Sequence, residues 1–166
     1  MTQAEMLLPE FDQEMASTRK VLERVPEDKL DWKAHPKSNT IGWNANHLAE
    51  MVGWCKDVLT TPSFDVAPPG GPRYQSPKHA TRREILDLFD RNVAATRKAL
   101  GATSDAQMSQ SWSLLKAGQP MFTMPRSAAI RTFVMNHVIH HRAVLCVYLR
   151  LNNINVPGMY GPSGDE

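Results

Sequence analysis

The stretch IRTFVMNHVIHHRAVLCVYLRL, residues 130–151, decides the fold. It reads as one long helix, yet half of the chain's six histidines sit between Asn136 and Arg142, at its centre. At 100° per residue, His137 and His141 lie about 40° apart on one face. Ile130, Phe133, Val134, Val144, Leu145 and Tyr148 share that face. The two imidazoles are therefore predicted to point into a core. His140 lies about 60° to the other side of His137, at the edge of the stripe. Arg131, Arg142 and Arg150 fall away from it and are predicted to face solvent or a partner. Met135, Ile139, Cys146 and Leu149 form a second apolar stripe, as expected of a central helix or one that carries a subunit contact.

Outward from this segment, three more amphipathic helices are predicted. The first spans residues 3–24. Thr2 and Glu5 have capping-box spacing, Pro26 closes it, and Pro9 calls for a kink or a later start. The second spans 41–60. The third spans 82–101, opened by Thr81 and Glu84 and closed by Gly101. The histidine helix then runs 126–151, after Pro125 and before Asn152-Asn153. Prolines and glycines in TPSFDVAPPGGPRYQSPKH rule out a helix between the second and third. This connection is long enough to cross the end of a bundle, so those two helices need not be antiparallel neighbours. Two β-compatible runs flank KAGQP in SWSLLKAGQPMFTM, the pattern of a small hairpin. The tail VPGMYGPSGDE reads as a loop. The expectation is an all-α four-helix bundle forming a single domain over residues 1–166, with a long crossover between helices two and three.

With 166 residues the chain can bury a core without staples. A net charge of +2 is too small to argue for nucleic acid or a membrane surface as partner. No apolar run reaches the length of a membrane span, and the N-terminus lacks the pattern of a signal peptide. Two cysteines, Cys55 and Cys146, each sit in an apolar helical pattern and are expected as free thiols. These features predict a cytoplasmic protein.

On the second helix, His47 shares a stripe with Trp43, Met51, Trp54 and Val58. Packed helices lie 8–10 Å apart, which brings His47 within reach of the ion that His137 and His141 could hold. Two histidines at i and i+4 with a third from a facing helix form a metal site with one open position. The other reading is three hydrogen-bonded core histidines, and spacing alone leaves both open. Glu50, three residues after His47, could orient an imidazole or act as a base, although an exposed acid at a helix edge is the simpler account. His140 is a candidate helper or interface residue. His35 and His79 fall in loops and should be solvated. Trp43 and Trp54 could line a pocket or fill the core. Neither a Ser-His-Asp order, a P-loop nor a G-x-G-x-x-G is present.

IGWNANHLAEMVGW, MNHVIHHRAVLCVYLR and VPGMYGPSGDE together resemble the DinB-like (YfiT-type) family of four-helix metal proteins. The resemblance covers nearly the whole chain. It implies up-down-down-up connectivity, a homodimer, and a divalent metal, zinc or nickel, on His47, His137 and His141. The chain departs locally, with Ala143-Val144 where many relatives have Gly-Gln. Relatives with assigned activity are thiol transferases or thiol-dependent isomerases using bacillithiol, mycothiol or glutathione. The resemblance thus implies a metal-dependent S-transferase joining a low-molecular-weight thiol to a small-molecule electrophile. A metal-dependent hydrolase with Glu50 as base, and a non-enzymatic metal-stabilised stress protein, are the alternatives.

Overall fold

The computed structural model covers residues 1–166. The first helix, α1, runs Gln3–Leu22, and both halves of the Thr2/Glu5 capping box are formed. It passes through Pro9, so the later start is not needed. A short 3₁₀ turn, Glu27–Lys29, leads to α2, Ile41–Thr60, capped by the Thr40 hydroxyl. Strand β1, Ser63–Asp65, follows. Helix α3, Arg82–Gly101, opens on the Thr81/Glu84 box. A one-turn helix α4, Asp105–Met108, precedes the hairpin of β2, Ser111–Lys116, and β3, Gln119–Pro125. Its two-residue turn holds Ala117 at φ 53° and Gly118 at φ 75°, the positive pair that a primed hairpin turn requires.

The structure corrects the all-α expectation. The fold is mostly helical, but β1, β2 and β3 form a three-stranded sheet in that order. β1 lies parallel to β2, with Ser63 opposite Ser113. The sheet turns Trp112 and Leu114 inward and packs Phe122 and Met124 against the helical core. The predicted fourth helix is also not uniform. It comprises α5, Arg126–Ala128, a π-helical segment, Ala129–Met135, and α6, Asn136–Leu151. It ends at Asn152, and Asn153 adopts φ 57°, the left-handed turn that stops a helix.

Cross-helix contacts fix how the helices run. The Asn92 amide donates to the Ala49 carbonyl and the Thr96 hydroxyl to the Val52 carbonyl, so α2 and α3 are neighbours running the same way. A Cβ on Gly53 would come within 3.1 Å of the Asn92 side chain, a tight contact that would press on this hydrogen bond. Arg19 pairs with Asp90 and Arg97 with Asp12, which sets α1 antiparallel to α3. His141 meets Asn44 while His137 meets His47, which sets α6 antiparallel to α2.

Arg142 departs from its predicted outward position. It is 2% exposed, because the side of α6 away from the histidines packs on α1. Its guanidinium lies 2.7 Å from the Glu14 carboxylate and donates to the Glu14 carbonyl, the Thr18 hydroxyl and the Tyr160 hydroxyl. Tyr160 in turn donates to Glu14. This buried pair holds the C-terminal tail against the bundle. Cys55 is buried and Cys146 half-buried, both as free thiols. No helix is long and apolar enough to cross a membrane.

Candidate metal centre

His47 sits in the middle of α2, and His137 and His141 lie one turn apart on α6. The antiparallel packing of these helices brings one ring nitrogen from each within 4.8 Å of the other two. The ring centroids of His47 lie 5.2 Å from His137 and 4.8 Å from His141. His140 stays outside the cluster. It is exposed, and its ring meets only the edge of His141, at 4.9 Å. His35 is exposed and His79 half-exposed in their loops.

The surrounding groups decide which nitrogen each ring offers. The Asn44 amide NH₂ donates to the Thr40 carbonyl, which can only accept. Asn44 therefore turns its carbonyl oxygen to His141 Nδ1, 3.0 Å away, and that nitrogen must carry the proton. The Glu50 carboxylate accepts from His47 Nδ1 at 2.8 Å, which fixes the same tautomer there. His141 then presents the lone pair of its Nε2 inward, and Nε2 is the nitrogen that His47 has left to offer. His141 Nε2 lies 3.1 Å from His137 Nε2. Two nitrogens on a tetrahedral ion at about 2.05 Å would lie about 3.3 Å apart, so this pair already has the spacing of two ligands.

Burial pushes the His137 pKa below its usual value, aided by positive charge on His47 and His140 and opposed by the Phe133 backbone carbonyl. His141 is pushed down to about 4, first by burial and then by charge on its three histidine neighbours. Neutral imidazole is the form that binds a metal. The donor set therefore fits a borderline divalent ion such as zinc or nickel. An aromatic wall holds the rings: Trp43 lies 4.4 Å from His47, and Trp54 lies 5.3 Å from His47 and 5.9 Å from His137.

Glu50 is not the exposed acid that its position suggested. It is 6% exposed, because the crossover folds over it. The Ser76 hydroxyl donates to it at 2.7 Å, and the Tyr74 hydroxyl donates to its other oxygen. Burial and the Glu50 carboxylate raise the Tyr74 pKa, so its proton stays in place. Asn44, Tyr74 and Ser76 were not singled out in the sequence. Asn44 had a signal, since it lies one helical turn before His47. Tyr74 and Ser76 had none, because they reach Glu50 from a loop without periodicity.

Beside the centre lies a cavity of about 260 Å³, bordered by Glu50, Trp54, Tyr74 and Phe133. Trp54 and Phe133 stack on each other in its wall, at 5.4 Å and 13°.

Residues 10–145 match the sequence model of the DinB superfamily. The chain is 22% identical over 160 residues to the uncharacterized protein YrdA of Bacillus subtilis (strain 168), a match covering 96% of this chain and 89% of that protein. Two solved structures share the fold. A DinB-like protein from Bacillus cereus ATCC 10987 superposes with a TM-score of 0.71 at 22% identity, covering 94% of this chain and 97% of that one. The DinB-like protein YjoA from Bacillus subtilis gives 0.69 at 15% identity, covering 95% and 99%.

Proposed function

The chain belongs to the DinB superfamily, and from that premise we propose that it is a metal-dependent thiol S-transferase whose ion is held by His47, His137 and His141. One observation carries the reading. Asn44 and Glu50 occupy the Nδ1 sides of His141 and His47 and leave their Nε2 atoms converging beside that of His137. Hydrogen-bonded core histidines would not need three nitrogens turned toward one point.

When bound, a divalent ion supplies a Lewis acid that lowers the pKa of a thiol at its open position. The chain's own residues set the rest. Glu50 orients His47, and Tyr74 and Ser76 hold Glu50. Trp43 and Trp54 pack against the rings. In the transfer the thiol loses its proton to solvent and its sulfur bonds to an electrophilic carbon. The leaving group departs with the electron pair of the broken bond. Hydrolysis is the weaker reading, because Glu50, its nominated base, already accepts three hydrogen bonds. His140 remains a candidate helper at the rim.

The contact pairs between helices support up-down-down-up connectivity, which we take as the topology. We further place the protein in the cytoplasm as a homodimer acting on a small molecule, with neither nucleic acid nor membrane as partner. Two free cysteines are compatible with that compartment.

The test is cobalt substitution in a variant with Cys55 and Cys146 replaced by serine. Adding bacillithiol, mycothiol or glutathione should produce a sulfur-to-metal charge-transfer band. The same thiol should be consumed with chlorodinitrobenzene, which releases chloride. Full metal loading with no spectral response to any thiol would remove the transferase reading. Turnover without thiol would favour hydrolysis, and no turnover at all would favour a metal-stabilised binding protein.

A further inference from the structure

Residues 67–80 of the crossover lie over α2 without joining the core. None of them is buried, and none belongs to a helix or strand. The sheet holds one end, where Ala67 accepts from the Ala117 N–H and Tyr74 donates its N–H to the Val66 carbonyl. The α3 cap at Thr81 holds the other. In between, the ties to α2 are polar and come from two of its side chains. Glu50 accepts from the Tyr74 and Ser76 hydroxyls. Asn46 accepts the His79 N–H at 2.8 Å and donates to the His79 carbonyl at 3.1 Å. The Tyr74 ring adds edge contacts to Phe64 and Trp54, at 5.6 and 6.3 Å. Asn46 and Glu50 lie one helical turn apart, with His47 between them. The segment also separates two spaces. Tyr74 and Glu50 border the cavity of about 260 Å³, while Ser76 and Asn46 border a second cleft of about 800 Å³ that reaches Trp43.

We propose that residues 67–80 form a strap that opens and closes as a unit over α2, and that Glu50 couples its closure to the occupancy of the histidines. Each hydrogen bond of the strap exchanges for one to water at small net cost, so the strap can leave α2 while the core stays folded. Opening joins the two spaces along α2, past His47, which is 7% exposed under the closed strap. The coupling rests on the metal reading above. A ligated Nε2 draws electron density from the ring, so the His47 Nδ1–H donates more strongly and fixes Glu50. The carboxylate held in that way is the one that Tyr74 and Ser76 must meet to close the strap. By linkage, a closed strap and an occupied centre favour each other.

Trypsin reads the open state in the full-length protein, because Arg73 and Lys78 lie exposed in the strap and cleavage needs it free of α2. Mass spectrometry assigns the cuts, and rates are normalised to a reference peptide in the same buffer. In metal-free protein, cuts at Arg73 and Lys78 should precede any in α3. Tyr74→Phe combined with Ser76→Ala should speed them about tenfold or more, the effect of losing hydrogen bonds to a charged group, and Asn46→Ala should speed them about fivefold. Zinc loading, measured by elemental analysis, should slow them about tenfold in the unaltered chain and in Asn46→Ala, the low end of what a carboxylate behind a ligating histidine is worth. It should leave the combined variant unchanged, since Glu50 no longer reaches the strap there. Asn46→Ala carries the test of the strap alone if the combined variant fails to fold. Strap cuts that come no earlier than those in α3, or that neither variant speeds, would overturn the strap. Zinc-loaded protein cut at the metal-free rate would overturn the coupling and leave the metal reading intact. A chain that takes up no zinc would end the metal reading and the coupling together, and the metal-free rates would still decide the strap.

Discussion

Glu50→Gln separates a positioning carboxylate from a bystander. The substitution preserves shape and burial but removes the charge, and one acceptor oxygen becomes an NH₂. If the remaining oxygen stays on His47 and Ser76, the NH₂ faces Tyr74, whose hydroxyl can rotate to accept. The fold should survive. The effect falls on His47, whose Nδ1–H loses a charged partner at 2.8 Å and whose Nε2 becomes less basic. A carboxylate behind a ligating histidine is worth about 10- to 100-fold in metal affinity, or about 1.4–2.7 kcal/mol. Competition of metal-loaded protein against a chromophoric chelator reads this directly. Tyr74→Phe removes only one bond to the carboxylate, so its loss should be smaller than that of Glu50→Gln. If Glu50→Gln holds zinc and nickel within twofold of the unaltered chain, Glu50 is not positioning a ligand, and the inward lone pair of His47 loses its explanation.

Other outcomes follow from the same geometry. His141→Ala should lower metal occupancy far more than His140→Ala in a chelator titration, since His140 lies outside the cluster; equal losses would put His140 in the ligand set. Arg142→Met should destabilise the protein by about 3–5 kcal/mol, because it strands a buried Glu14, whereas pairing it with Glu14→Leu should recover most of the loss. That single loss corresponds to a fall in Tm of roughly 6–20 °C; a drop in urea-unfolding stability under about 1 kcal/mol would mean that the pair contributes little. In the metal-free protein, His137 and His141 bind protons less readily than in the unfolded chain, where the reference pKa is about 6.5. The unfolded state therefore takes up more protons between pH 6.5 and about 4, and stability should fall as pH drops through that window. His141→Asn should flatten the Tm–pH profile there, and an unchanged slope would rule out His141 as a source of it.

Most of the helical frame was legible because its signals are local. Thr81 and Glu84 cap α3 where their spacing placed them, and α2 spans the predicted residues. The π-helical turn before Asn136 was hidden, since a helical wheel assumes one period throughout. It did no harm to the histidines, because His137 and His141 both lie in the regular α6 that follows. The parallel pairing of β1 with β2 joins residues 50 positions apart, 63 to 113, and no local pattern encodes it. Arg142 was misread for a different reason. Its angle from the histidine stripe was right, but the side of α6 away from the histidines faces α1 rather than water. The second apolar stripe already marked α6 as a central helix. Met135 and Leu149 in that stripe are buried, as the arginine is.

The centre divides along the same line. Which imidazoles meet follows from the period of two helices, and the wheel finds them. What each imidazole presents depends on groups that no period describes. The carboxylate of Glu50 is covered by a crossover loop, and the side chain of Asn44 is turned by the carbonyl of Thr40. These contacts bear on the two readings that spacing left open. In a histidine core satisfied by hydrogen bonds alone, a donor would be placed against each inward nitrogen that has only a lone pair to offer. Here the partners of His47 and His141 from outside the cluster lie on the Nδ1 side, and the inward Nε2 of His141 lies 3.1 Å from His137 Nε2. Burial and neighbouring charge hold the pKa values of His137 and His141 below the usual imidazole range, which disfavours protons on those two rings. Leu or Val at these positions would suit the apolar stripes better. A sequence that breaks its own core pattern at three converging positions, and then buries further polar groups to aim them, specifies a site at the expense of packing. A single cation can satisfy all three inward nitrogens at once.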